Sequence, residues 1–391
     1  MNIGGAANRS RPAISVLMPS LNVGPYISQC VESVCNQTLK DLEILCIDAG
    51  STDGTREILQ ELAEKDSRIR IIDSDKKSYG HQMNLGLKAA RGQYIGIVET
   101  DDYIDTEMYE SLLEAAEKYN VEVVKANYYN NQNGMDMFYE LLVGLPYERV
   151  IHPRDHLSLL TRRPSIWSGL YNKNFLEQNG ISFLETPGAS YQDTSFILKV
   201  WIAAERVCLI KKAFLHYRLD NPNSSVNSRD KAFFVRDELS AVFEYLNSKQ
   251  EKKKEYEKII WDCEANIYEW NFNRLSDEMK YVFLSGVQAR YQEGLKHDRY
   301  DRRYMRWFVW KMVNQVAENP MLFLKSQLAS ENYNKLARDN GIAEPSHRQI
   351  KKWEYKEKLL FIPQAMIDVV NFTRNYGIGY CFQTIKKRIN Q

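Results

Sequence analysis

The sequence predicts an α/β protein: a mixed, mainly parallel sheet flanked by helices, followed by a mostly helical C-terminal region. Three observations predict it. Short apolar runs alternate with amphipathic segments from Ile14 to Ala126, a pattern that joins strands by right-handed crossovers. The run Tyr94–Val98 stops abruptly at three acids, Glu99, Asp101 and Asp102. Such a run suits a buried strand, and ligands of open α/β sheets bind beyond the carboxyl ends of the strands. Beyond about residue 230 the strand signal fades, and charged segments carry Trp, Tyr, Phe and Leu at helical spacing.

The elements follow in order. Residues 1–12 read as a disordered arm, residues 13–228 as the α/β domain and residues 229–391 as the helical region. Ile14–Met18 is a strand, ended by Pro19 and the polar turn Ser20-Leu21-Asn22. Pro25 opens a helix, where its missing N–H costs nothing, and Ile27, Cys30, Val31 and Val34 form its inward face. Leu42–Asp48 is the second strand and Gly50–Gly54 a turn. Thr55 starts a helix with Ile58, Leu59 and Leu62 on one face. Ile69–Asp73 is the third strand, and the helix Gly80–Ala90 after it is closed by Gly92. Tyr94–Glu99 is the fourth strand, Glu107–Tyr119 a helix and Val121–Ala126 the fifth strand. Ile166–Tyr171 and Val207–Ile210 read as further strands, with a short helix at Phe196–Ala203.

Charge divides the chain. Its net charge is +1, but residues 1–230 hold 24 Lys and Arg against 30 Asp and Glu, and the remainder holds 28 against 21. The acidic front excludes a nucleic-acid groove there, and the basic back suits an anionic partner. The six cysteines show no CxxC spacing and read as reduced, buried thiols. The N-terminus lacks a signal-peptide apolar core, and no run approaches the roughly 18 apolar residues of a membrane span. The expectation is a cytoplasmic protein. Phe382–Asn390 sets Phe382, Ile385 and Ile389 beside Lys386, Lys387 and Arg388, which reads either as a peripheral contact with the inner face of the plasma membrane or as a solvated terminal helix.

Three crowded carboxylates repel one another unless a cation joins them, and hard oxygen ligands suit Mg2+ or Mn2+. The bland alternative is a helix start, with Asp102 or Asp105 facing the next N-terminus. Asp48 ends a strand before AGSTDGT, a polar pocket able to accept from a ribose hydroxyl or a base N–H; the alternative is a plain turn in which Ser51 or Asp53 caps the helix. Asp193, in YQDTSF, reads by itself as the N-cap of the helix through Phe196.

Taken together, the segments SVLMPSLNVGPYISQCVESVCNQTLKDLEILCIDAGSTDGT, YIGIVETDDYI and YQDTSF closely resemble family 2 glycosyltransferases of GT-A fold, over about residues 13–225. The resemblance implies an inverting, metal-dependent enzyme that moves a sugar from a nucleotide-diphosphate donor, UDP being favoured, to a glycan or lipid-linked acceptor. The setting it implies is bacterial capsule, lipopolysaccharide or other surface-polysaccharide synthesis. It implies that Pro19, Leu21 and Asn22 flank the nucleotide, with Asp48 at the base and Ser51 and Asp53 in the same turn. Asn84 is retained from a donor-side pattern. Asp102 becomes the metal ligand, Asp101 a ribose or metal contact, and Asp193 the catalytic base. Trp167, in WSGLY, and Gln192 fall on the acceptor side; His216, Arg218 and Ser224-Ser225 resemble the segment that closes over the diphosphate.

Three departures stand out. Ala49 replaces a second Asp, Gln192 a usual Glu, and Met83 a common Arg, so that Lys76, Lys77 or His81 would have to meet the diphosphate. A lone His such as His81 is more often structural. A sugar nucleotidyltransferase would need a basic, Gly-rich loop where this chain has PSLNVGP. A non-catalytic glycan-binding or scaffolding relative is the alternative the departures leave open, as is oligomer formation.

Overall fold

A computed structural model of the chain describes residues 11–222, 232–341, 346, 348–353 and 355. Ser224-Ser225, the boundary expected at 228/229 and the segment Phe382–Asn390 lie outside the described residues, as do residues 1–10 of the arm. The chain forms two units. One comprises the residues up to Leu142 with Pro146–Pro153 and Pro164–Asn221; the other comprises Val143–Leu145, Arg154–Arg163 and the chain from Pro222 onward.

The first unit is a ten-stranded sheet. β1 (Ile14–Ser20), β2 (Leu42–Asp48), β3 (Ile69–Asp73) and β4 (Tyr94–Ile97) are parallel, with helices α1 (Gly24–Cys35), α2 (Thr55–Lys65) and α3 (Tyr79–Ala89) between them. β5 (Tyr103–Ile104) and α4 (Met108–Tyr119) lead to β6 (Val123–Gln132), β7 (Met135–Tyr139) and β8 (Val150–Ile151). β9 (Gly169–Asn172), α5 (Lys173–Gln178), α6 (Gln192–Ala203) and β10 (Val207–Arg218) complete the unit. The order is β3-β2-β1-β4-β9-β6-β10-β5, with β7 on β6 and β8 on β10. β9 runs antiparallel between β4 and β6, while β6 and β10 are parallel. β1 and β2 are buried at every position, as strands covered on both faces must be.

Several boundaries differ from the sequence reading, each for a local reason. The fourth strand ends at Ile97 because the chain turns into the acids. The fifth runs on to Gln132, since Asn133 (φ 52°) and Gly134 (φ 76°) form a two-residue hairpin turn into β7. Ile166–Ser168 winds as a 3-10 turn, Ser168 N–H donating to the Ser165 carbonyl at 3.0 Å, so the strand begins only at Gly169. Gly92 does not close a helix; Ala90 is the C-cap, and Gly92 is required because a Cβ there would strike the Ser15 backbone. Neither Ser51 nor Asp53 is the N-cap of α2, a position held by Gly54 at φ 93°. Tyr191, not Asp193, is the N-cap residue of α6.

The second unit is helical where described: α7 (Phe234–Ser248), α8 (Gln250–Arg274), α9 (Asp277–Lys296), α10 (Trp307–Glu318), α11 (Pro320–Gln327) and α12 (Ser330–Asp339). Among the described residues no helix is long and apolar enough to cross a membrane. The buried face of α10 is Val309, Met312, Val313 and Val316; Trp307 and Trp310 flank that face half-buried. Two acids lie deep on α8. Asp262 accepts from the backbone N–H groups of Asp301 (3.2 Å) and Arg302 (3.1 Å), yet burial, with the Asp301 charge, pushes its carboxyl up to about 8. Burial likewise raises Glu264 to about 7, although Arg290, 3.5 Å above the Trp261 ring, is its ion-pair partner at 2.9 Å.

These two acids set a pH dependence. The folded unit retains protons that the unfolded chain releases above about pH 4. Stability therefore falls as pH rises through 7 to 8. We expect the melting temperature to drop between pH 6 and pH 9 and Asp262→Asn to reduce that drop; an unchanged slope in the variant would mean that Asp262 is already ionised in the folded chain.

Candidate active site

The carboxyl ends of β1, β2 and β4 form one rim, built by short side chains that tie loop to loop. Asn22, in the left-handed region at φ 53° that Asn tolerates, accepts from Thr52 N–H at 2.9 Å and donates its own N–H to Ser51 Oγ at 2.9 Å. Ser51 Oγ donates to Asp48 Oδ1 at 2.5 Å, and Asp48 is 4% exposed. Asp53 accepts from Gly24 N–H (2.9 Å) and Thr55 Oγ1 (2.6 Å), which fixes the start of α1 against the start of α2. Beneath them Gln82, on α3, donates to the Ser20 carbonyl at 2.9 Å and the Ile47 carbonyl at 2.7 Å. Pro19 takes part through its carbonyl, which accepts from Thr100 Oγ1 at 2.7 Å; Leu21 belongs to the same turn.

The acids follow β4. Glu99 accepts from the Tyr79 hydroxyl at 2.6 Å. Desolvation pushes its carboxyl up to about 8, helped by the charges of Asp101 and Asp193 and opposed by the Tyr79 hydrogen bond. Asp102 is 2% exposed; its Oδ1 accepts from Arg218 N–H at 2.7 Å and its Oδ2 has no partner. Burial, with the Asp101 charge, holds Asp102 well above the usual carboxylate range. Asp101 is the partly exposed member, accepting from Asn221 Nδ2 at 2.8 Å. Arg218 closes the group: Nε donates to the Asp101 carbonyl (2.8 Å), Nη2 to Gln29 Oε1 (2.9 Å), and the guanidinium lies 4.9 Å over the Tyr26 ring.

Among the described residues no group of three His, Cys, Asp or Glu stands ready-made around an ion. The donor set nonetheless fits a hard divalent cation, because a buried carboxylate oxygen lacks a partner while its neighbours repel it.

Asp193 arrives from another segment, in the first turn of α6, with Oδ1 accepting from Thr194 N–H at 2.7 Å. Its charge acts on Glu99, Tyr79 and Lys125, so it belongs to this acid group. Lys125, 1% exposed, donates to the Ser165 carbonyl, and burial drives its amine well below the ordinary lysine range.

Other residues expected at the site are engaged elsewhere. Asn84 holds the Phe183 backbone, accepting from its N–H and donating to its carbonyl, each at 3.0 Å. Gln192, 2% exposed, donates to Thr186 Oγ1 at 2.8 Å and accepts from Ser190 N–H, so it ties up its own loop. Trp167 is 5% exposed and stacked on Tyr217 at 5.2 Å. His216 lies between the rings of Tyr103 (4.3 Å) and Tyr129 (5.0 Å), with Asp105 and Asp136 at its two nitrogens. His81 bridges Asp75 and Glu185, and Glu185 also takes Lys76. Met83 is wholly buried. Sequence reasoning missed Tyr79, Gln82, Lys125 and Asn221; only Gln82 left a signal, a polar residue on the inward face of a helix.

Residues 15–158 match the family described as Glycosyl transferase family 2. The uncharacterized glycosyltransferase EpsJ of Bacillus subtilis is 32% identical over 219 residues, which cover 54% of this chain and 62% of EpsJ. The putative glycosyltransferase EpsH of the same organism is 26% identical over 299 residues, 73% of this chain and 86% of EpsH. Glycosyltransferase GlyA of Streptococcus pneumoniae is 29% identical over 217 residues, but the match spans only 30% of its length. Among solved structures, S. aureus TarS 1–349 in complex with UDP-GlcNAc aligns with a TM-score of 0.64 at 15% identity, covering 85% of this chain and 93% of that one. That likeness is one of fold, the GT-A fold.

The rim depends on Gln82. We expect Gln82→Leu, which removes two buried hydrogen bonds and leaves the Ser20 carbonyl with the Ala49 N–H, to cost about 2 kcal/mol in urea unfolding. A change below about 0.5 kcal/mol, the ordinary surface range, would show that those carbonyls find other partners.

Proposed function

We propose that the chain, whose residues 15–158 match glycosyl transferase family 2, is an inverting glycosyltransferase. It moves a sugar from a nucleoside-diphosphate donor to a hydroxyl of a glycan or lipid-linked acceptor in bacterial surface-polysaccharide synthesis. The observation that carries this reading is the convergence of Asp193, from α6, with the acids that follow β4.

Inversion is one in-line displacement. The acceptor oxygen attacks the anomeric carbon, and the bond from that carbon to the donor's phosphate oxygen breaks, its electron pair leaving with the nucleoside diphosphate. Asp193 takes the proton of the attacking hydroxyl, work for which a carboxylate is suited. The β1 and β2 rim, with Asp48, Ser51 and the Asn22 turn, receives the nucleoside. Arg218, braced by Tyr26 and Gln29, stands on the diphosphate side. Asp101, with Asp102 behind it, would hold Mg2+ or Mn2+, and such an ion supplies Lewis-acid stabilisation of the leaving diphosphate. TarS, which shares the fold, was crystallised with UDP-GlcNAc, so UDP is the nucleotide to try first.

The reading predicts that UDP with Mn2+ raises the melting temperature and that Asp101→Ala abolishes the metal-dependent part. Asp193→Asn should keep the shift and lower donor turnover by about 10²-fold or more, the usual contribution of a general base. Turnover that survives in Asp193→Asn would remove Asp193 from the chemistry.

A further inference from the structure

The segment that delivers Asp193 is fastened along its whole length to the start of α3. Ser78 Oγ donates to the Thr186 carbonyl at 2.7 Å, Tyr79 N–H to the Gly188 carbonyl at 2.9 Å, and Gly188 N–H back to the Lys77 carbonyl at 2.8 Å. Gly80 admits the strand-like run closely, since a Cβ there would strike the Leu184 carbonyl. Glu185 is the hub. Its Oε2 meets Lys76 Nζ at 3.0 Å and His81 Nδ1 at 2.8 Å, and its Oε1 accepts from Asn84 Nδ2 at 3.1 Å. Asn84 in turn holds both polar groups of the Phe183 backbone. Several weak bonds from one short helix to one loop act together, and each fixes the geometry the next requires.

The fastening leads to the acids at both ends. Tyr79, whose N–H takes the loop, gives its hydroxyl to Glu99. Phe183 packs its ring on Phe196 of α6 at 4.3 Å, three residues beyond Asp193. One turn of α3 thus touches both the acid that faces Asp193 and the loop that carries Asp193.

We propose that Glu185 is a positioning residue: through Lys76, His81 and Asn84 it locks residues 183–190 onto α3 and thereby sets Asp193 in register with Glu99. The proposal rests on the glycosyltransferase reading for its catalytic consequence and on hydrogen-bond geometry alone for the lock. Glu185 is itself 36% exposed at the side chain, and its partners among the described residues, Lys76, His81 and Asn84, lie outside the β1–β2 rim, so it acts on placement of the base rather than on nucleotide binding. Misplacing a reacting group by about 1 Å can cost 10²-fold in rate.

The test uses the full chain with two readouts. Hydrogen exchange comes first: Glu185→Ala should speed exchange of amides in 183–195 and leave those of 48–55 unchanged. Donor turnover comes second: kcat should fall about tenfold or more while the donor KM stays within about twofold, and Glu185→Gln, which still accepts from Asn84, should recover much of the loss. Unchanged exchange in 183–195 overturns the lock. Faster exchange with unchanged kcat, or a raised KM at unchanged kcat, overturns the positioning role. A wild-type chain that neither binds nor turns over nucleotide sugar sinks the transferase reading instead, and exchange alone then decides the lock.

Discussion

Glu99, Asp101 and Asp102 crowd the carboxyl edge of the sheet, and the charge of Asp193 reaches Glu99. Their mutual repulsion is the constraint that the surroundings serve. Two of them are pushed upward, Glu99 to about 8 and Asp102 further still. Like charges in a desolvated setting persist only where something compensates them: a proton, a hydrogen-bond donor or a cation. The chain supplies donors sparingly, with Tyr79 for Glu99, Asn221 for Asp101 and the Arg218 backbone for one oxygen of Asp102. The remaining Asp102 oxygen has no hydrogen-bond partner among the described residues.

The same economy explains how the rim keeps its shape. Beyond the ends of β1 and β2 the rim is made of loops, and loops must satisfy their backbone groups without a ladder. Asn22, Ser51, Asp53 and Thr55 do so by accepting from one another's loops, and Gln82 ties the ends of β1 and β2 from below. These are short, stiff side chains, so little rotameric freedom is lost in holding them.

Leu42–Asp48 was legible because burial on both faces forces a continuous apolar run, and Ile69–Asp73, though mostly half-buried, also matches its observed limits. The β7 hairpin was missed although Asn133-Gly134 marks it, since β7 exposes most of its side chains and shows no alternation. At the site, local motifs foretold where the acids lie but not how each is used. That Asp102 is buried and Asp101 partly exposed depends on Arg218 and Asn221, more than a hundred residues away. Asn84 and Gln192 illustrate the same limit. Each matched a position near the chemistry, and each turned its amide to groups that no local pattern reveals, Asn84 to the Phe183 backbone and Glu185, Gln192 to its own loop.

Gln192 also shows why the departures from the family pattern need not weaken the chemistry. Its Oε1 accepts from Ser190 N–H while its Nε2 donates to Thr186 and to the Gly188 carbonyl. A glutamate could supply only acceptors there and would face those oxygens unpaired. The amide is therefore what this loop demands, and replacing a charge beside Asp193 with a neutral group also removes one repulsion from an already crowded set. Met83, wholly buried where relatives of this type often carry Arg, makes the corresponding point on α3. The side chain is buried, and Arg218 from β10 is a cation beside the acids. Arg218, the last residue of β10, is thus fixed by the same acid pair whose charge it offsets.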